Sequence, residues 1–253
     1  MSKMSRALTA LFIVPAMGLS ISSAWADNLP SHMIIQQALR AVVAEDNGGF
    51  GLQMWVSVVD RDGMVRNVAY SGKQRGDQWP GSRVISAQKA STANAFSLPG
   101  LALSTANFYS ATQPGGFAYG IQASNPVATD VAYRRPASQF GSNKDPMVGH
   151  AIGGINVFGG GLALYDHTGK LLGGIGVSGD SSCADHNIAW KLRHKLGLDY
   201  VPAGVSPTKD DNIVYDIKNG VSAGGWGHPV CAPKATEIAG TLPVSNPIGV
   251  KKP

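Results

Sequence analysis

Six histidines, two cysteines and one glycine-rich bend carry most of the chemistry this sequence offers. His150 sits in an apolar, flexible run (MVGHAIGG), a setting in which an imidazole could ligate a metal. His186 falls in the first turns of a predicted helix, whose positive end favours the neutral, ligating ring. His194 lies two turns further along the same helix, too far to share one ion with His186. His167 falls at a predicted hairpin tip and reads as solvated. Asp180 and Asp185 flank the bend and could move protons, although a cap for the following helix is the simpler role for Asp180. Lys89 lies within an alanine-rich helix, where it either pairs with a carboxylate or reaches out to water. Cys183 and Cys231 are an even pair, and in an oxidising compartment a disulfide is expected. A free nucleophilic thiol on Cys183, at a helix start, is the alternative.

Gly174, Gly176 and Gly179 match the G-x-G-x-x-G fingerprint, and Asp199 follows about 20 residues on. That fingerprint belongs to a βαβ unit. Here the preceding strand belongs to a hairpin, so dinucleotide binding is rejected. A phosphate loop is rejected because no Gly-Lys-Ser/Thr follows. Glycines in a strand instead leave room for another backbone or a flat ligand to come close.

The elements that position these groups follow from periodicity. Ser31–Glu45 repeats apolar residues at helical spacing and stops at Asn47-Gly48-Gly49. Met54–Val59 and Met64–Tyr70 flank Asp60-Arg61-Asp62-Gly63 as a hairpin. Ser82–Phe96 is a helix rich in small residues. Residues 113–154 are rich in Pro, Gly, Asn and Ser, and a loop that long is functional or hides short elements. Leu162–Tyr165 and Leu171–Val177 form a second hairpin around the Asp166–Gly169 turn. A helix capped by Ser181 or Ser182 then runs to Leu196. A short helix is expected around Asp211–Ile217, and poor order past Ala239. Hairpins against helices give an α+β class rather than a doubly wound sheet.

Composition narrows the function classes. The hydrophobic share of 43% supports a sizeable core, so global disorder is excluded. Lys3 and Arg6, the apolar run Leu8–Ile21 and Ala24-Trp25-Ala26 read as a secretory leader cleaved near Ala26, which makes the protein periplasmic or secreted. The apolar run is too short and broken for stable membrane insertion. Without Lys3 and Arg6 the formal charge of +5 falls to +3. That is too mild for a nucleic-acid partner, and no basic cluster interleaves with aromatics. The expected organisation is a leader (1–26), a domain (27–200) and a loop-rich extension (201–253) stapled by the Cys183–Cys231 bond.

Three segments resemble the GlcG/HbpS family, which includes the C-terminal domain of PduO proteins. They are VSVVDRDGMV (Val56–Val65), the helix SAQKASTANAFS (Ser86–Ser97) and the block GGGLALYDHTGKLLGGIGVSG (Gly159–Gly179). The resemblance spans roughly Ser31–Leu198. It implies a profilin-like α/β/α arrangement around a five-stranded antiparallel sheet, homo-oligomers and, for several members, haem. The segment SGKQRGDQWPGS, the expanded loop before the glycine block and the tail with Cys231 depart from the family pattern.

Haem iron is held by histidine, or by Met, Tyr or Cys. The resulting expectation is an exported protein that captures, stores or senses haem without turnover. The porphyrin would lie on a glycine-lined shelf at Gly174 and Gly176, with His150 or His186 at the iron and Lys89 near a propionate. The alternative is an accessory enzyme of a periplasmic catabolic pathway, acting on a small organic acid through Asp180, Asp185 or His186. A purely structural oligomer subunit, with no pocket, is the third reading.

Overall fold

The computed structural model of the protein describes residues 28–249. The leader assigned to residues 1–26 lies outside the described residues. Helix α1 (His32–Val43) turns Ile35, Ala38, Leu39 and Val42 inward. Strands β1 (Trp55–Asp60) and β2 (Val65–Tyr70) form the first hairpin. Its turn is held by Asp60, whose Oδ1 accepts from the backbone N–H groups of Asp62 and Met64. Helix α2 (Ser82–Phe96) follows. Short helical turns at Thr105–Phe108 and Ser110–Thr112 lead to α3 (Ile121–Ser124), α4 (Thr129–Ala132) and a further turn at Ala137–Gln139. The second hairpin is β3 (Gly161–Tyr165) and β4 (Leu171–Ser178), and α5 (Ser182–Lys195) comes next. A two-stranded ribbon, β5 (Ile217–Lys218) and β6 (Val221–Ser222), precedes α6 (Pro233–Ser245).

The main sheet is antiparallel, in the order β2-β1-β4-β3. Alternation along β1 divides the core. Val56 and Val58 join Ile35, Leu39, Trp190 and Leu192 on the α1/α5 side. Trp55 and Val59 join Val84, Ala87 and Ala90 of α2 on the other. Helix α6 packs on α5, and its Leu242 enters the α1/α5 core.

The α+β class with an antiparallel sheet stands, but the sheet has four strands rather than the expected five. Beyond β3 the chain makes a single parallel bridge, Tyr165 to Asp199. Pro202 then supplies no N–H with which to extend the ladder, and β5–β6 forms a separate ribbon. Two local expectations also fail. Asp211–Ile217 is irregular rather than helical, and only Ile217 enters a strand. Past Ala239 the chain continues as α6 to Ser245, because Ala235, Ala239 and Leu242 share a buried stripe; residues 250–253 lie outside the described residues.

Buried ion pairs pin the long irregular segments. Arg83 of α2 grips Asp145 with two nitrogens, at 2.8 and 2.5 Å, and donates to Ala132 O at 2.8 Å. This fixes residues 132–145 over α2. Arg193 of α5 forms a two-pronged bond to Asp211, 2.7 Å at each contact, which ties the extension to α5. Such forked pairs give geometric specificity as well as energy.

Candidate functional site

The glycine block and α2 are two halves of one interface. A Cβ on Gly174 would lie 2.3 Å from Ala90 O, and one on Gly176 only 1.9 Å from Ser86 O. The backbones of β4 and α2 therefore touch, and the small residues of α2 exist to allow it. The shelf expected at Gly174 and Gly176 is accordingly corrected: the space beside these glycines is filled by a helix.

Lys89 is also interior. Its Nζ donates to Asp185 Oδ2 at 2.7 Å and to Val177 O at 3.2 Å, and both side chains are buried. Burial pushes the Asp185 carboxyl up to about 6, against the opposing pull of Lys89. The expected propionate contact for Lys89 is thus replaced by a structural pair between α2 and α5. Asp180 spends its carboxylate on the N–H groups of Phe50 and Leu52, while Ser181 caps α5 by accepting from Ala184 N.

His186 is fully buried on α5. Its Nε2 lies 3.2 Å from Asn212 Oδ1 and 3.1 Å from Ile213 N, so the extension seals the ring from solvent. Desolvation first, and Arg193 second, hold its pKa down to about 3. The ring is neutral as expected, but it has no open face for a porphyrin, which corrects the expected ligand role. Sequence reasoning placed His186 on the right helix turn. It could not show that residues 212–213 would fold back over it.

His150 has a different fate. It is half-buried at the edge of β2, where its carbonyl accepts from Val65 N. Its Nε2 is 2.8 Å from Arg134 Nη1. A guanidinium only donates, so this contact uses the Nε2 lone pair, the same pair a metal would take. Of the two imidazoles expected to ligate, His150 alone keeps access to solvent.

The disulfide Cys183–Cys231 is formed, with Cα atoms 6.0 Å apart. It brings the extension against the start of α5 and builds a feature the sequence did not reveal. An open cleft of about 790 Å³ lies between the Tyr109–Phe117 segment and the β5–β6 ribbon, walled by Tyr109, Phe117, Ile217, Val221 and Pro229. Phe117 stands edge-on to Trp226 at 5.1 Å, and Trp226 to Phe108 at 6.2 Å. Tyr109 packs against Phe158 at 6.0 Å and against the His228 ring at 5.4 Å. His228 is buried behind this wall. Its Nδ1 bonds to Pro229 O at 2.8 Å, and its Nε2 is 3.4 Å from Gly159 N. Desolvation holds its pKa down to about 4. The one sequence signal for this site was GGWGHP (Gly224–Pro229), an aromatic and an imidazole in a glycine-rich turn beside a cysteine.

An α/β/α domain on one antiparallel sheet, with a tight glycine–alanine seam and an aromatic cleft, is the class of protein these observations define. The chain belongs to the HbpS-like family, described as haem degrading protein HbpS-like, whose model matches residues 31–192. Among solved structures the chain is similar to a PduOC–haem complex, at 23% identity and a TM-score of 0.45, over 66% of this chain and 94% of that one. It is also similar to Klebsiella pneumoniae protein ORFY, at 22% identity and a TM-score of 0.43, over 66% of this chain and 90% of that one. No curated protein matches the chain.

Proposed function

We propose that this protein is exported and binds haem in the aromatic cleft between Tyr109–Phe117 and Ile217–Pro229. The observation that carries the reading is the cleft itself. Its volume falls in the range of small-molecule sites, and its walls join the rings of Tyr109 and Phe117 and the aliphatic Ile217 and Val221 to a substantial polar share that includes Ser110, Gln113 and Ser222. Tyr109 is the one lining side chain of a type that holds haem iron. The family description agrees with a haem ligand. Export is supported by the leader-like first 26 residues and by the disulfide, which needs an oxidising compartment. Self-association belongs to the same reading, since Met33, Ile34 and Phe50 leave apolar surface exposed.

Binding rather than turnover is favoured, because no carboxylate or imidazole lines the cleft among the described residues. The accessory-enzyme reading loses the groups it relied on. Asp180 and Asp185 are committed to internal contacts and His186 is sealed.

The test is a hemin titration of the mature protein followed by absorbance. The wild-type protein gives a saturable, shifted Soret band, and Tyr109→Phe loses the phenolate signature and weakens binding by about tenfold or more. An unchanged spectrum in Tyr109→Phe overturns the cleft assignment. A second reading, with His150 as iron ligand, rests on the partial solvent access of that residue and requires Arg134 to release Nε2; it predicts instead that His150→Ala abolishes the band. Added ascorbate should leave the bound Soret band intact if turnover is absent.

A further inference from the structure

The geometry points to a metal site hidden in the disulfide: once Cys183 and Cys231 are reduced, they and His228 hold one thiophilic divalent ion of the zinc class. The three residues each aim one ligand atom into the same place, all within 4.8 Å of one another. Cys183 Sγ is 4.0 Å from His228 Nδ1. His228 and Cys231 are three residues apart, a spacing short enough to grip one ion from a single turn. Cys183 is fixed in the first turn of α5, and its backbone N–H already points at Cys231 Sγ at 3.3 Å. A helix start favours the negative charge that two thiolates bring. Cys231 is exposed, so it can move outward by the increment that separates bonded from co-ligating sulfurs.

The two electrons come from a dithiol, or in the experiment below from a phosphine that attacks one sulfur and leaves as its oxide with oxygen from water. One donor thiolate attacks Sγ of Cys231, the exposed sulfur, and the S–S bond breaks to release Cys183 as a thiolate. The second donor thiol then attacks the donor sulfur of the mixed disulfide and releases Cys231. The donor leaves as an internal disulfide, having supplied both electrons. Binding of the ion displaces any protons the two cysteines have taken up. The His228 proton moves from Nδ1 to Nε2, and the bonds to Pro229 O and Gly159 N are given up for a bond to the metal. Three protein ligands leave a fourth tetrahedral position, which opens to solvent on the Cys231 side.

The experiment uses the mature chain, reduced with a phosphine, desalted without air and titrated with Co²⁺ and then Zn²⁺. The expected result is one equivalent of Co²⁺ with a thiolate-to-cobalt charge-transfer band and tetrahedral d–d bands, displaced by Zn²⁺. The oxidised protein binds none, and Zn²⁺ raises the thermal midpoint of the reduced protein. His228→Gln, whose fold is checked in the oxidised form, keeps the charge-transfer band but binds at least about tenfold more weakly. Binding of Co²⁺ without that band, unchanged affinity in His228→Gln, or equal binding by the oxidised chain overturns the site. So does a reduced chain that unfolds and is not restored by Zn²⁺, since unfolded cysteines then account for any uptake.

Discussion

Replacing Gly176 by alanine separates the two roles a strand glycine can play here. The added Cβ would meet Ser86 O at 1.9 Å and Ala90 N at 2.5 Å, both backbone atoms of α2. Ordinary contact begins at 3.4 Å, so α2 must lift by about 1.5 Å, or β4 must sink by as much into the α1/α5 core. Neither surface has slack. Val177 and Ile175 already fill the far side of β4, and Lys89, one turn from the clash, is anchored to Asp185. Overpacking of a tight core costs about 1–3 kcal/mol, and a backbone-to-backbone clash belongs at the upper end. At roughly 2–4 °C per kcal/mol for a chain of this size, Gly176→Ala should lower the thermal midpoint by about 6–12 °C. Thermal and urea melts of the mature protein measure this, with a hemin titration of the still-folded variant alongside. The reasoning predicts lost stability and retained hemin affinity. Unchanged stability with lost hemin binding would refute it, and would restore the glycines as a ligand surface.

Lys89→Met leaves the Asp185 carboxylate buried without its partner. It should cost about 3 kcal/mol at pH 7.5 by urea melts, and less at pH 5, where a carboxyl raised to about 6 takes up a proton. Lys89→Met combined with Asp185→Leu should recover most of that loss, because neither charge then remains. Acid lability is expected from His186. Its folded pKa, about 3, lies below the ordinary 6.5, so its contribution is complete above pH 6.5 and is lost as pH falls toward 3, on the order of 5 kcal/mol in all. Asp185, with a raised pKa, acts in the opposite sense between pH 3.8 and 6 and offsets part of this slope. Melts from pH 7.5 to 4 test it, and His186→Gln should flatten the curve. Removing the cross-link with Cys183→Ser and Cys231→Ser, which frees a 48-residue separation, should cost about 2–5 kcal/mol. It should also weaken hemin binding if the extension builds the cleft wall.

The parts of the fold that were legible in the sequence are those set by local rules. The hairpin at Asp60–Gly63 is written in its turn residues, and α2 runs from Ser82 to Phe96 as its small-residue pattern indicates. Ser181 was one of two candidate caps for α5, and it is the one whose side chain accepts from Ala184 N. The Cys183–Cys231 pairing followed from compartment and count. What was not legible depends on long-range partners. The segment DDNIVYDI reads as helix-compatible, but Asp211 is held by Arg193 and Asn212 by Ala239 O, which leave it irregular. Helix α6 was obscured by Gly240 and Pro243, whose cost is met by Ala235, Ala239 and Leu242 docking in the interior. The cleft unites Tyr109 with Pro229, which no window of neighbouring residues contains. The glycine block was correctly seen as a place of close approach, but only the structure shows that the approaching object is α2.

The covering of α5 by later residues bears on how this polypeptide is made. Trp190 donates its indole N–H to Asn246 O at 2.9 Å, and Leu242 shares a packing cluster with Ile35. A ribosome that has just emitted the stretch matched by the family has not yet supplied these pieces. The nascent chain at that stage presents unsatisfied indole and aliphatic surface to its surroundings. That surface gains its internal partners only when residue 246 emerges. Under the export proposed above, that delay keeps the chain loose while it crosses the membrane, because the packing that would jam a translocation channel forms last.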